Sequence, residues 1–237
     1  LMPSEIRKRF PSKWVEEDEE GSKNNFEEDF LLDQMKRLGI GLKTSYNKIT
    51  TNAKGKKLAD NFSDLLQNDF NVIVYNFVDM LSHARTDMEV IKELADDDSA
   101  YRSITESWFK HSPLLDIIKK IQENGHNIVL TTDHGMVKVT NPIKVVGDRS
   151  VNTNLRYKLG KNLSYNKKEV FEVKDPDHAF LPKISQNTRY IFAKESTFIA
   201  YPNNYNYYVN FYKDTFQHGG ISLEEVIIPI IKLKAKK

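Results

Sequence analysis

Two short apolar runs, each ending in an aspartate and a nearby histidine, restrict this chain more than any other feature. Val72 to Val78 (VIVYNFV) is almost unbroken apolar sequence of strand length, and Asn127 to Thr132 (NIVLTT) is a second. Such runs suit strands covered on both faces, as in parallel sheets. Between them lie two helical segments, at about 86–95 and about 101–124, the second interrupted by Pro113 and ended by Gly125. A strand, helices and another strand predict a right-handed βαβ crossover.

The flanking sequence fills in an α/β domain. Phe30, Leu31, Met35 and Leu38 recur at helical spacing and Gly39 supplies a stop; Ala59, Phe62, Leu65 and Leu66 mark another amphipathic helix. The acidic run Glu16 to Asn25 (EEDEEGSKNN) reads as an exposed loop, either simply solvated or serving as a lid or partner contact. From Asn141 to Tyr212, short runs rich in Asn and Tyr, with a turn at Tyr201-Pro202-Asn203-Asn204, suggest small strands and loops inserted as a cap. Glu225 to Leu233 reads as a final strand, at an edge or bulged because of Pro229. Lys234 to Lys237 reads as a frayed basic tail. The expected architecture is one domain over 1–237: a central, mainly parallel sheet with helices on both faces and a cap at about 141–212.

Composition removes several classes of function. With 237 residues, 39% of them hydrophobic, the chain can bury a large core as one domain. Lys plus Arg number 35 against 33 acids, a net of +2, so no global basic field marks a nucleic-acid coat protein. Cysteine is absent, which excludes disulfides and thiolate zinc sites and leaves His, Asp and Glu as metal ligands. No apolar run approaches the roughly 20 residues of a membrane span, and no signal peptide is evident, so a cytoplasmic location is expected. The start at Leu1, followed by Met-Pro-Ser and a charged helical segment, reads as an interior cut of a longer protein.

Asp79 and His83 follow the first apolar run, and the carboxyl ends of parallel strands are where ligands bind. A carboxylate and an imidazole one helical turn apart can meet one ion; an N-cap Asp and a packed His are the plainer alternative. Asp133 and His134 repeat the arrangement in Thr131-Thr132-Asp133-His134-Gly135, where Gly135 allows a sharp turn. His218, in Gln217-His218-Gly219-Gly220, adds a third imidazole beside two permissive glycines. Together these nitrogen and oxygen donors suit zinc or manganese. His126 precedes a strand at its amino end, His111 lies in a helical segment, and His178 is a loop residue able to touch substrate or simply exposed. Arg149, Arg156 and Lys158 are candidates for phosphate oxygens or plain surface charge. Tyr201, Tyr205, Tyr207, Tyr208, Phe211, Tyr212 and Phe216 are candidates for base stacking or for packed strand faces.

In chain order, Asp79-x-x-x-His83, Asp133-His134-Gly135 and His218-Gly219-Gly220-x-Ser222-Leu223-Glu224-Glu225 resemble the alkaline phosphatase superfamily. More narrowly they resemble the PglZ domain, including that of PorX-type response regulators, where it follows a CheY-like receiver. Leu1 to Ile6, Gly147-Asp148-Arg149 and Thr153 to Lys158 carry the same likeness, which spans essentially the whole chain. The resemblance implies two divalent ions, zinc or manganese, one held by Asp79, His83 and His218 and the other by Asp133 and His134. It implies hydrolysis of a phosphomonoester or phosphodiester, with nucleotides among the substrates considered, through a covalent phospho-enzyme on a Thr. It also implies an output domain of a bacterial two-component regulator, partnered by an N-terminal receiver; a homodimer is compatible with the sequence. In that superfamily another Asp ligand and the Thr or Ser nucleophile lie on an earlier strand and its following helix. Nothing upstream of Val72 matches them, so they are expected ahead of Leu1, and the 237-residue chain alone is expected to bind metal without turnover. The alternative reading is a metal-binding scaffold that signals through protein partners.

Overall fold

The helical spacing around Phe30 produces a helix, and regular elements follow through most of the chain. A computed structural model describes residues 1–14, 25–95, 97–147 and 154–236. Arg149 and all but the last residue of the acidic run 16–25 lie outside the described residues. The elements begin with α1 (Pro3–Arg9), α2 (Glu27–Arg37), β1 (Thr44–Ile49), α3 (Asn52–Asp60), α4 (Ser63–Leu66) and β2 (Phe70–Tyr75). They continue with α5 (Phe77–Asp87), α6 (Glu89–Leu94), α7 (Asp98–Lys110), α8 (Pro113–Glu123) and β3 (Ile128–Thr131). Next come β4 (Val137–Lys138), β5 (Asn141–Lys144), β6 (Tyr157–Gly160), β7 (Val170–Val173), β8 (Arg189–Ala193) and β9 (Thr197–Ala200). The chain closes with α9 (Tyr205–Tyr212), β10 (Phe216–Gln217), α10 (Leu223–Val226) and β11 (Ile230–Leu233). Two compact units result, the first from Leu1–Phe26 and Asp133–Ile228, the second from Glu27–Thr132 and Pro229–Lys237.

In the second unit β1 and β2 pair in parallel, from Thr44 opposite Phe70 to Ile49 opposite Tyr75. The β1 strand was not legible in the sequence, because its six residues, TSYNKI, alternate weakly and carry few apolar side chains. The Thr51 side chain caps α3 by accepting from Lys54 N, satisfying a main-chain donor that the first turn leaves over. Ala59, Phe62, Leu65 and Ile117 then form a buried cluster with Leu58, Ile73 and Ile121, joining α3 and α4 to α8 and β2. Burying a side chain of this size contributes about 1.5–3 kcal/mol. Lys120 Nζ donates to Ala59 O at 2.7 Å, tying α8 to the end of α3.

Three expectations change here. The apolar run 72–78 is a strand only to Tyr75; α5 starts at Phe77, well before position 86, because nothing from Phe77 to Asp87 breaks a helix. Pro113 occupies the first position of α8 instead of interrupting a longer helix, where its missing N–H costs nothing. The second apolar run becomes β3, which pairs antiparallel with β11. Among the described residues the strands form separate small ladders, two parallel and the others antiparallel.

In the first unit β5 pairs in parallel with β9, and β8 lies between β6 and β7 in an antiparallel sheet. β9 is covered on both faces: Ile199 joins Ile143, Val145, Val170, Ile191 and Ala193, while Phe198 and Ala200 join Val137, Val139 and Leu155. This is the period-two alternation of a buried strand. The Tyr-rich stretch is the helix α9, not a set of strands, and Tyr205, Val209 and Tyr212 pack it onto the second cluster. The expected strand 225–233 is halved: Leu223–Val226 is helical and the strand starts only after Pro229.

Candidate metal centre

The second unit offers one pair of donors. Asp79 stands in the first turn of α5 and His83 four residues on, so both project from one face of the helix. Asp79 Oδ1 and His83 Nε2 lie 3.6 Å apart. Two ligands at about 2.1 Å from one tetrahedral ion stand about 3.4 Å apart, so this pair needs little adjustment to share one. Their side chains as wholes are 40% and 57% exposed, although Asp79 Oδ1 itself is buried. Behind the pair, Phe77 stacks on Trp108 at 3.9 Å with an interplanar angle of 2°, and Tyr101 Oη donates to Val78 O at 2.9 Å. These contacts from α7 fix the start of α5.

The first unit brings three candidates together by a different route. β4 and β10 run antiparallel, with Val137 opposite Gln217. That register puts the residues just before β4 and just after β10 at one end of the ladder. His218 directly follows β10 and His134 stands three residues before β4, and their rings stack with centroids 4.0 Å apart and planes 16° apart. His134 Nδ1 lies 3.0 Å from Gly135 O; with Nδ1–H donating there, Nε2 carries the lone pair, the usual way a ligating imidazole is oriented. Asp133 Oδ2 lies 3.8 Å from that Nε2 and its side chain is 82% exposed. Each set therefore combines carboxylate oxygen with imidazole nitrogen, a donor mix that divalent ions accept.

Glycines make the first unit's turns possible. Gly219 has φ +103°, a region that side chains disfavour, and a Cβ there would press on the Asn154 amide at 2.9 Å. Gly135 serves close approach: its N–H donates to Glu225 O at 2.9 Å, and a Cβ would overlap the Glu224 carbonyl oxygen.

The phosphate-binding candidates take unexpected places. Arg156 is fully buried, with Nε and Nη2 donating to Glu225 Oε1 and Oε2 at 3.0 and 2.8 Å. Nη1 donates to Thr197 O, and Nη2 also reaches Ala193 O at 3.4 Å. Lys158 is buried on β6, its ammonium 5.0 Å from the centre of the Tyr201 ring. His178 is exposed, 3.6 Å from Asp175; His111 follows α7 and His126 precedes β3.

Glu225 was missed as an individual residue. Burial alone raises its pKa, but the Arg156 hydrogen bonds and charge, with Ser222 and Gly220, reverse this and hold it below the ordinary carboxylate value. The signal was available: Ser222-Leu223-Glu224-Glu225 is a capping box, in which Glu225 Oε2 accepts from Ser222 N at 3.1 Å.

An α/β chain with carboxylate–imidazole pairs where strands give way to helices and turns has the character of an alkaline phosphatase-like domain. The family described as the BREX system PglZ alkaline phosphatase-like domain matches residues 1–233, and the chain belongs to this PglZ family. No curated protein matches the sequence.

Proposed function

We propose that this chain is the ligand-bearing portion of a metal-dependent phosphoester hydrolase. In this reading Asp79 and His83 of the second unit act with Asp133, His134 and His218 of the first to hold two divalent ions, zinc or manganese. The observation that carries it is the donor spacing within each unit: 3.6 Å between Asp79 Oδ1 and His83 Nε2, and no more than 4.8 Å between a ring nitrogen of His134 and one of His218. When bound, the ions supply charge neutralisation for an anionic ester and stabilise its leaving oxygen. The chain's own part is to hold carboxylates and imidazoles at fixed separations, α5 doing so by helical geometry and the glycine turns by close packing. The segment 141–212 serves as the cap, and a central, mainly parallel sheet, with β1 and β2 as part of it, serves as the scaffold. Likeness to PorX-type regulators extends the reading to an output domain governed by a receiver.

Zinc and manganese titration of the chain, followed by elemental analysis, tests the proposal. Tight binding that weakens in both Asp79→Ala and His218→Ala supports a shared centre. Binding that ignores both substitutions, or no binding above background, overturns it. Turnover of an activated phosphodiester by the metal-loaded protein then separates hydrolysis from metal storage.

A further inference from the structure

The two stacked histidines of the first unit stand on separate turns, and one residue reaches both. The Glu225 main-chain oxygen accepts from Gly135 N at 2.9 Å, one residue past His134. Its Oε1 accepts from Gly220 N at 2.8 Å, two residues past His218. We propose that Glu225, held by Arg156, is a positioning residue that sets the separation of the His134 and His218 rings.

The arrangement goes beyond neutralising a buried guanidinium. Both carboxylate oxygens are shared: Oε1 serves Arg156 Nε and Gly220 N, while Oε2 serves Arg156 Nη2, Ser222 N and Ser222 Oγ. With that many partners the carboxylate cannot rotate or shift without breaking several bonds. Gly220 lies so near that a Cβ would stand 2.6 Å from Glu225 Oε2 and 3.0 Å from Arg156 Nε. Asn154 ties the same arginine to the same turn, since its Oδ1 accepts from Arg156 N at 2.7 Å while its Nδ2 reaches His218 O at 3.5 Å. One turn thus hangs on the Glu225 backbone and the other on its side chain. The rings are held in register through the main chain of the turns that carry them.

As a statement about metal binding the inference rests on the proposed function; as a statement about ring geometry it does not, and the experiment uses both. Replacing the buried pair together, in Arg156→Met with Glu225→Met, leaves no lone buried charge and removes the acceptor of Gly220 N–H. Gly220→Ala wedges the same contact open and decides the matter if the double variant does not fold. In the metal-free 237-residue chain, nuclear Overhauser contacts between the two rings are expected in the wild type. They should be lost in the variants, with far-UV circular dichroism unchanged. Zinc affinity should fall about 10–100-fold, the usual effect of disturbing a residue behind a ligand. Folded variants that keep the ring–ring contacts overturn the proposal. Lost contacts in a chain that binds no zinc in the wild type uphold the positioning role and reject the metal reading.

Discussion

The two units hold their acidic and imidazole side chains by opposite means. In the second, Asp79 and His83 ride on α5, where 3.6 residues per turn set their spacing without help. In the first, His134 and His218 sit on turns with no period of their own, and a buried ion pair 69 residues apart in sequence supplies the order. The treatment of buried polar groups differs in the same sense. Arg156 and Glu225 are bonded at every side. The Tyr75 hydroxyl of the second unit is buried with no hydrogen-bond partner among the described residues. A site built on regular structure tolerates a loose interior; a site built on turns depends on a tight one.

That contrast is most exposed to Arg156→Ala. Leaving the Glu225 carboxylate in the interior without its counter-ion should cost about 3–5 kcal/mol, measured as a lowered urea midpoint. A loss under 1 kcal/mol would place the order of the turns elsewhere. Next in size is Gly55→Ala in α3, whose added methyl would overlap the Tyr75 hydroxyl. Overpacking of this kind costs about 1–3 kcal/mol, and adding Tyr75→Phe should recover most of it; failure to recover would mean that the backbone is the obstacle.

On α5, His83→Ala should change stability by no more than about 0.5 kcal/mol while zinc affinity falls more than about tenfold, the lower bound for a residue merely behind a ligand. Equal losses of fold and affinity would erase the contrast between the units. The pH dependence sharpens it. Glu225 has a depressed pKa when folded, so the unfolded chain binds more protons between that value and the ordinary carboxylate value of about 4.3. Its contribution is complete above the ordinary value and disappears as pH falls through the depressed one. Melting temperatures taken from neutral pH into acid should therefore drop more steeply for the wild type than for Glu225→Gln, and parallel curves would contradict the shift. Smallest of all, Tyr75→Phe alone should leave thermal stability unchanged or slightly higher, since it removes a desolvated hydroxyl and no bond.

What the sequence revealed follows the same division. β2, β3 and α2 were legible because their apolar residues repeat locally, and Asp79 with His83 because a helix turns spacing into proximity. The partnership of Arg156 with Glu225 was not, since nothing near either residue names the other. The β4–β10 ladder is two residues long on each side, below any period that a pattern can display. α9 was hidden by its tyrosines, which favour strands, and α10 by the apolar run after it, although the Ser222–Glu225 box carried the opposite message.

The distance between Arg156 and Glu225 also has a consequence in time. Ribosomes add about 5–20 residues per second, so Glu225 follows Arg156 by 69 residues, an interval of about 3–14 s. Throughout it the guanidinium must stay in water, and β6 cannot close over a charge that has no counterpart. The turn after His134 waits as well, because the oxygen that receives Gly135 N–H belongs to the same late residue. The start of α5, made long before, meets its α7 partners Tyr101 and Trp108 as soon as residue 108 has been added. The nascent protein therefore presents one ligand pair early and withholds the other until Glu225 emerges, which delays any centre that needs both pairs.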